Sequence, residues 1–284
     1  MRFGRSRDGR KKLIWGFSTM SIASSGSLYS MELLAKRLST HIDLSHAERE
    51  LLLARSHSAR CYSSGSTVLR PEHPSLRPTL IVSGWACRER ITASGNRQLL
   101  SVLMPGDLIW DGGEDRPVDL LEVVAVSNLT VINIASAMRA MEGDPNRFGS
   151  LRQGLAMLRL IEEEQLLQHV VRLGSQSALQ RMASLILELF ERCHRIGFVT
   201  GRTFVMPLTQ ECLGNFVGLS IIHVNRILRR LKVEGLIRLR SGLIEILDRS
   251  GLAEIADASV AEQIRPAAVD RQHSPIATLE LAMA

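Results

Sequence analysis

The spacing of apolar positions changes character three times along the chain. Between residues 31 and 60, Leu33, Leu34 and Leu38, then Leu44, Leu51 and Leu52, recur at helical intervals. Ser45 ahead of Ala47-Glu48 is a helix-start signal. From Cys61 to about Ile134 the period shortens. Short apolar runs (Thr67-Val-Leu, Thr79-Leu-Ile-Val, Gln98-Leu-Leu-Ser-Val-Leu-Met, Val123-Val-Ala-Val, Leu129-Thr-Val-Ile-Asn-Ile) are separated by Ser64-Gly65, Ser83-Gly84, Ser94-Gly95-Asn96, Pro105-Gly106-Asp107 and Gly112-Gly113. Strands this short, with a turn signal at each junction, predict an antiparallel barrel or jelly roll.

Residues 147–172 then read as one long helix. Leu151, Leu155 and Leu158 stand four and three apart, and Ile161, Leu167 and Val171 extend the face beside Leu160, Leu166 and Val170. A helix apolar on more than one side needs more than one neighbour. One neighbour is the β-domain. The other is either the same helix of a second subunit or another part of the same chain. Leu151, Leu155, Leu158 and Ile161 are the candidate dimer contacts. Gly174 is expected to break this helix and Ser177 to begin the next, which carries Met182, Leu185, Ile186, Leu189 and Phe190. Gly197 and Gly201 mark a loop or short hairpin.

The most informative stretch is 207–248. Thr209 is a good N-cap, with Leu208 and Leu213 placed as a hydrophobic staple. Leu213, Phe216 and Val217 face inward on the first helix. Gly218 suits a tight turn, and Ser220 is a second N-cap. Val224, Ile227, Leu228 and Leu231 form the inner stripe of a second helix. Two capped helices joined by a short turn with Gly make a helix-turn-helix. Leu236 to Arg240, Ser241-Gly242 and Leu243 to Ile246 then read as a hairpin, so the module is winged.

Composition sharpens this only locally. The chain has 284 residues, 45% hydrophobic and 23% charged, as in ordinary globular proteins. Its net charge is +6, but residues 1–12 alone carry +5. Global basicity is therefore weak evidence for nucleic acid. The segment 208–249 has seven basic and four acidic residues, the local excess that phosphate binding needs. Cys61, Cys87, Cys193 and Cys212 form no C-x-x-C pair and read as buried thiols of a cytoplasmic protein. The run Leu13 to Phe17 is too short for a signal-peptide core. No run approaches a membrane span of about 18 apolar residues.

The chain resembles Crp/Fnr-type transcription regulators from about residue 35 to 255. The resemblance rests on Ile81-Val-Ser-Gly-Trp-Ala, Arg97-Gln98-Leu-Leu, Pro105-Gly106-Asp107, the long helix and Leu208-Thr-Gln-Glu. Its most specific part is Val217-Gly-Leu-Ser-Ile-Ile-His-Val-Asn-Arg followed by Gly235-Leu-Ile. It implies an α+β protein with an N-terminal antiparallel β jelly roll, a long dimerisation helix and a C-terminal winged helix-turn-helix. It also implies a homodimer on a pseudo-palindromic operator in double-stranded DNA, with RNA polymerase a further candidate partner. The expected divisions are 1–30 (a disordered or mis-called extension), 31–146 (a cyclic-nucleotide-binding-like effector domain), 147–173 (dimerisation helix), 174–256 (DNA-binding domain) and 257–284 (tail).

Thr209, Gln210, Ser220, Ile221, Ile222, His223, Asn225, Arg226, Arg229 and Arg230 are the candidate DNA contacts. Ser220, His223 and Arg226 lie at the end of the recognition helix where base contacts are made. Arg226 suits either a bidentate contact to guanine or a phosphate contact. Arg229 and Arg230 read as phosphate anchors or solvated charges. Ile221 and Ile222 replace the Arg-Glu pair of cyclic-AMP-responsive relatives. One is expected against a thymine methyl and the other in packing.

The effector is unassigned and no cofactor is expected. Cyclic-nucleotide binders of this type carry Arg-Ser-Ala or Arg-Thr-Ala, whereas Arg116 precedes Pro117 here. Residues 107–122 hold six acids and one base, which disfavours an anionic ligand. No cysteine precedes Cys61, so the N-terminal iron–sulfur cluster of other relatives has no ligands here. The chain lacks G-x-x-x-x-G-K-[ST], H-E-x-x-H and G-x-S-x-G, so no enzyme is expected. The competing reading is a protein-interaction module that docks a basic partner through 107–122, with DNA binding lost or secondary.

Overall fold

The computed structural model describes residues 25–54, 59–70, 78–109 and 121–256. Two helices lead, α1 (Ser25–Ser39) and α2 (His46–Ala54). Ser45 starts the second through a reciprocal pair of bonds with Glu48, as its position predicts. Eight strands follow among the described residues: β1 (Ala59–Tyr62), β2 (Thr67–Leu69), β3 (Thr79–Ser83), β4 (Ala86–Ile91), β5 (Arg97–Leu103), β6 (Leu108–Ile109), β7 (Glu122–Ala125) and β8 (Leu129–Asn133). They form two antiparallel four-stranded sheets, ordered β1-β8-β3-β6 and β2-β7-β4-β5. Val68, Ile81, Ala86, Leu103, Ile109, Val123, Ala125, Leu129 and Val131 fill the space between them.

Gly84 shows how tightly the roll closes. It takes φ +81° at the Ser83-Gly84 turn, and an added Cβ would lie 2.1 Å from the Asn128 carbonyl oxygen. Only glycine fits that backbone crossing.

The chain continues through α3 (Ala135–Gly143), the long α4 (Gly149–Ser175) and α5 (Ala178–Arg195). A hairpin, β9 (Val199–Thr200) and β10 (Thr203–Val205), precedes α6 (Gln210–Val217) and α7 (Ile221–Val233). Strands β11 (Ile237–Arg240) and β12 (Leu243–Ile246) and a last helix α8 (Arg249–Ile255) complete the described chain. A third antiparallel sheet, β11-β12-β10-β9, makes the wing.

Three details depart from the sequence reading. Gly174 does not break α4; the helix runs to Ser175 and ends where Gln176 turns extended. Ser177 then opens α5 with a full capping box to Gln180. The boundary drawn after residue 30 falls inside α1, and residues 1–24 and 257–284 lie outside the described residues. Helices α3 and α8 were not anticipated. Asp248 caps α8 by accepting from the Gly251 N–H at 3.0 Å.

Two further cores organise the elements. Leu34, Leu38, Leu52, Leu80, Ile132, Leu151, Leu155 and Leu158 pack α1, α2 and the first half of α4 on the first sheet. The other core joins the opposite sheet to the C-terminal half: Trp85, Cys87, Leu99, Val102 and Met104 meet α5, α6, α7 and the wing.

This packing corrects the expected dimer surface. Leu151, Leu155 and Leu158 are buried inside the protomer and Ile161 packs against them. They are therefore the face that binds the chain's own β-domain. The large exposed apolar residues of α4 are Leu160, Leu167, Val170 and Val171. With Gln153, Ala156, Glu163 and Gly174, Leu160, Leu167 and Val170 fall on one exposed seam with alternating spacings of three and four.

Of the cysteines, Cys87 and Cys193 are buried as expected, while Cys61 is exposed and Cys212 half-buried. Burial raises the Cys87 thiol pKa and pushes that of Cys193 up to about 12, so neither is a reactive thiolate at neutral pH. Among the described residues no helix is long and apolar enough to cross a membrane.

Candidate nucleic-acid interface

The helix-turn-helix is built as its caps dictate. Thr209 Oγ1 accepts from the Cys212 N–H at 3.1 Å and starts α6. Gly218 ends it in the left-handed region (φ 68°, ψ 44°). The turn is close: an added Cβ on Gly214 would lie 2.5 Å from the Leu219 carbonyl oxygen. Ser220 caps α7 through the His223 N–H. Val224, Ile227, Leu228 and Leu231 are all buried beneath α7, which fixes its outer face.

That outer face presents the candidate contacts together. Thr209, Gln210, Ser220, Ile221, Ile222, His223, Asn225, Arg226, Arg229 and Arg230 are all exposed. Their engagement differs. Ser220 Oγ lies 2.9 Å from His223 Nδ1, so these two side chains hold each other at the helix start. Asn225 Nδ2 donates to the Ile221 carbonyl at 3.2 Å. Arg230 pairs with Glu234 at 2.6 Å, and Arg238 on the wing pairs with Glu245 at 2.5 Å. Arg226 and Arg229 have no ion-pair or hydrogen-bond partner among the described residues. Ile222 is 73% exposed and Ile221 47%, so neither takes the expected packing role.

Sequence reasoning missed the residues that hold this module against the β-roll. Gln98 Nε2, on β5, donates to the Asn215 carbonyl at 2.9 Å. The His169 ring on α4 lies against Phe216 of α6, tilted by 37° with centroids 4.1 Å apart, and its Nε2 lies 3.2 Å from the Leu99 carbonyl oxygen. Burial, then the Arg172 guanidinium beside it, lowers the His169 pKa to about 4. The ring is thus neutral at pH 7, with the Nε2–H directed at Leu99.

A buried ionic chain continues inward. Arg172 Nη2 donates to Glu188 Oε2 at 2.5 Å, and Glu188 Oε1 faces Arg192 at 3.5 Å. Arg192 Nη2 reaches Asp107 Oδ2 at 2.7 Å, and Arg37 pairs with the other Asp107 oxygen. Burial pushes both carboxyl pKa values up. The flanking arginines outweigh it and hold Asp107 and Glu188 below the usual carboxylate range. The i, i+4 spacing of Glu188 and Arg192 inside an otherwise apolar stripe was the only signal available in the sequence.

The described architecture is a two-sheet roll, a long connecting helix and a winged helix-turn-helix. Comparison with known proteins makes this specific. Residues 180–255 match the family model of the Crp-like helix-turn-helix domain. The transcriptional regulatory protein btr of Bordetella pertussis is 27% identical over 158 residues, covering 55% of this chain and 63% of the relative. The nitrogen fixation regulation protein FixK of Bradyrhizobium diazoefficiens is 26% identical over 192 residues, 66% of this chain and 77% of the relative. The solved structure of FixK2 from Bradyrhizobium japonicum superposes with a TM-score of 0.60 at 21% identity, covering 70% of this chain and 96% of that one. A CRP-family transcriptional regulator from Thermus thermophilus gives a TM-score of 0.54 at 16% identity, covering 70% of this chain and 96% of that one. Residues 180–255 thus match a Crp-like helix-turn-helix domain, and the chain is similar to transcription regulators of the Crp/Fnr type.

Proposed function

We propose that this chain is a sequence-specific DNA-binding transcription regulator that acts as a homodimer on a pseudo-palindromic operator in the cytoplasm. The observation that carries the reading is the outer face of α7. Two unpaired arginines, Arg226 and Arg229, stand on it beside exposed Ile221 and Ile222. Unpaired cations on a helix start suited to the major groove are what phosphate and base contacts require.

The homodimer rests on the exposed seam of α4. Leu160, Leu167 and Val170 have no cover within the protomer, and three-four spacing suits a parallel partner helix.

The protein-docking alternative loses support at its best-placed residue. Asp107 is buried and paired with two arginines, so it offers no charge to a basic partner. Residues 110–120, the rest of that acidic stretch apart from Glu122, lie outside the described residues.

The test is to incubate the purified full chain with genomic DNA fragments and sequence what is retained. The reading expects a pseudo-palindrome with half-sites about one helical turn apart. Retention without any shared sequence, at low and moderate salt alike, overturns it.

A further inference from the structure

The first turn of α7 carries two consecutive isoleucines directly after its cap, Ile221 and Ile222. Both are exposed, Ile222 the more so. A single apolar side chain on a surface is ordinary. Two side by side at the start of this helix serve neither the helix nor the core. A side chain branched at Cβ loses rotamer freedom in a helix, so helix formation does not favour isoleucine here. The inner stripe is already complete with Val224, Ile227, Leu228 and Leu231.

The polar groups around the pair narrow what this end of the helix can recognise. Ser220 and His223 hold each other at 2.9 Å. Asparagine reads adenine with both ends of its amide, but the donor end of Asn225 is turned back on the Ile221 carbonyl. No Asp or Glu stands between residues 220 and 233, so α7 offers no carboxylate to accept from cytosine N4. Arg226 has no ion-pair or hydrogen-bond partner among the described residues. It lies four residues after Ile222, one turn above it on the same face. A cation with nothing to neutralise it thus adjoins the apolar pair, which suits a polyanion rather than an apolar protein surface.

The edges of the base pairs show the major groove donors, acceptors and one apolar group, the C5-methyl of thymine. We propose that Ile222, with Ile221 beside it, selects the operator by reading thymine methyl groups. The assignment rests on the operator reading proposed above and names the base feature that its recognition helix selects. A methyl laid against isoleucine leaves water together with the side chain that covers it. Cytosine or adenine in its place would turn an amino group towards isoleucine and leave that donor unpaired. The two isoleucines therefore favour thymine and disfavour its alternatives at the same position.

The test uses the operator recovered from genomic fragments, remade with deoxyuridine for thymidine at one position of each half-site at a time. Uracil pairs as thymine does and lacks only the methyl group. The full chain, Ile222→Ala, Ile221→Ala and Val233→Ala are titrated with each duplex by fluorescence anisotropy at one salt concentration. Val233 is an exposed apolar control on the same helix. It lies about 16 Å further along, away from the end that reads bases. At one or more positions uracil should weaken the parent and Val233→Ala by about fourfold for each methyl removed. At one such position at least, Ile222→Ala should bind the thymine and uracil duplexes equally. An operator indifferent to uracil at every position overturns the proposal and leaves the operator reading standing. So does a uracil effect of equal size in the parent and Ile222→Ala throughout, which would belong to the DNA and not to the contact. Recovery of no shared sequence overturns both.

Discussion

Arg192 of α5 and Asp107 of the β-roll are bonded at 2.7 Å across the junction between the two halves of the chain. The same arginine nitrogen also donates to the Val102 carbonyl at 2.8 Å. Asp107 accepts in addition from the Met104 N–H at 2.7 Å and from Arg37. Both oxygens of this carboxylate are therefore occupied, and the residue is buried.

Removing the charge strands Arg37 and leaves Arg192 with Glu188 alone. Asp107→Asn should therefore cost about 3–5 kcal/mol, as when one partner of a buried pair is lost. A lowered urea midpoint, with the slope unchanged, would show it. The acid limb should change too. Asp107 and Glu188 have native pKa values below their unfolded ones. Their stabilisation is complete above the unfolded values of about 4 and disappears as pH falls through the native values. Asp107→Asn should flatten that part of the stability profile, and an unchanged profile would contradict the geometry.

His169 predicts a second, higher transition. Its native pKa of about 4 lies below the unfolded value of about 6.5. Above that unfolded value the ring is neutral in both states and the packing on Phe216 contributes in full. As pH falls from about 6.5 towards 4 the unfolded chain takes up a proton that the native ring refuses, so stability falls. Urea midpoints measured between pH 7 and pH 4 should decline in the parent. They should decline less in His169→Leu, which cannot titrate. Equal declines would place the His169 ring in solvent.

The two faces of α4 make opposite predictions. Leu160→Asp with Leu167→Asp alters only exposed positions and should convert a dimer to a folded monomer in sedimentation velocity. Leu158→Ala opens a cavity in the core beneath α1, costing about 2–5 kcal/mol, and should leave the dimer intact while lowering the melting temperature. The reverse pattern would restore Leu158 to the subunit interface.

The difference between those faces explains what the sequence could and could not tell. The caps at Thr209, Ser177 and Ser220 were legible because each is a local signal read within four residues. So were the strand runs and the inner stripe of α7. Helix α4 was legible as a helix, but it is apolar on two sides. Periodicity cannot say which stripe meets its own β-domain and which meets a partner. Leu151 and Leu160 look alike in sequence and differ only in what folds over them. Helix α8 went unseen because Gly251 sits in its middle. An added Cβ there would lie 2.6 Å from Asp248 Oδ2 and 2.9 Å from Leu236 Cδ2, so those side chains would have to shift to admit a larger residue. The chain from His169 through Arg172, Glu188 and Arg192 to Asp107 was invisible because its members lie on distant segments.

The arginines of α7 separate recognition from anchoring. Arg226 stands unpaired near the start of the helix, Arg229 unpaired one turn further on, and Arg230 is already tied to Glu234. A base contact from Arg226 contributes about 1–3 kcal/mol of discrimination. Arg226→Ala should then weaken operator binding by that amount and bring it towards the affinity for unrelated DNA. It should leave the dependence of log affinity on log salt nearly unchanged. Arg229→Ala, as loss of a phosphate anchor, should weaken operator and unrelated DNA alike. It should reduce the salt slope by about 0.9 for each half-site engaged. Arg230→Ala should do least, because its charge is partly neutralised by Glu234 before DNA arrives. Fluorescence anisotropy on operator and scrambled duplexes at several salt concentrations reads all three. If Arg226→Ala lowers the salt slope and spares the discrimination, Arg226 is the anchor and base readout falls to Ile221, Ile222 and the Ser220–His223 pair.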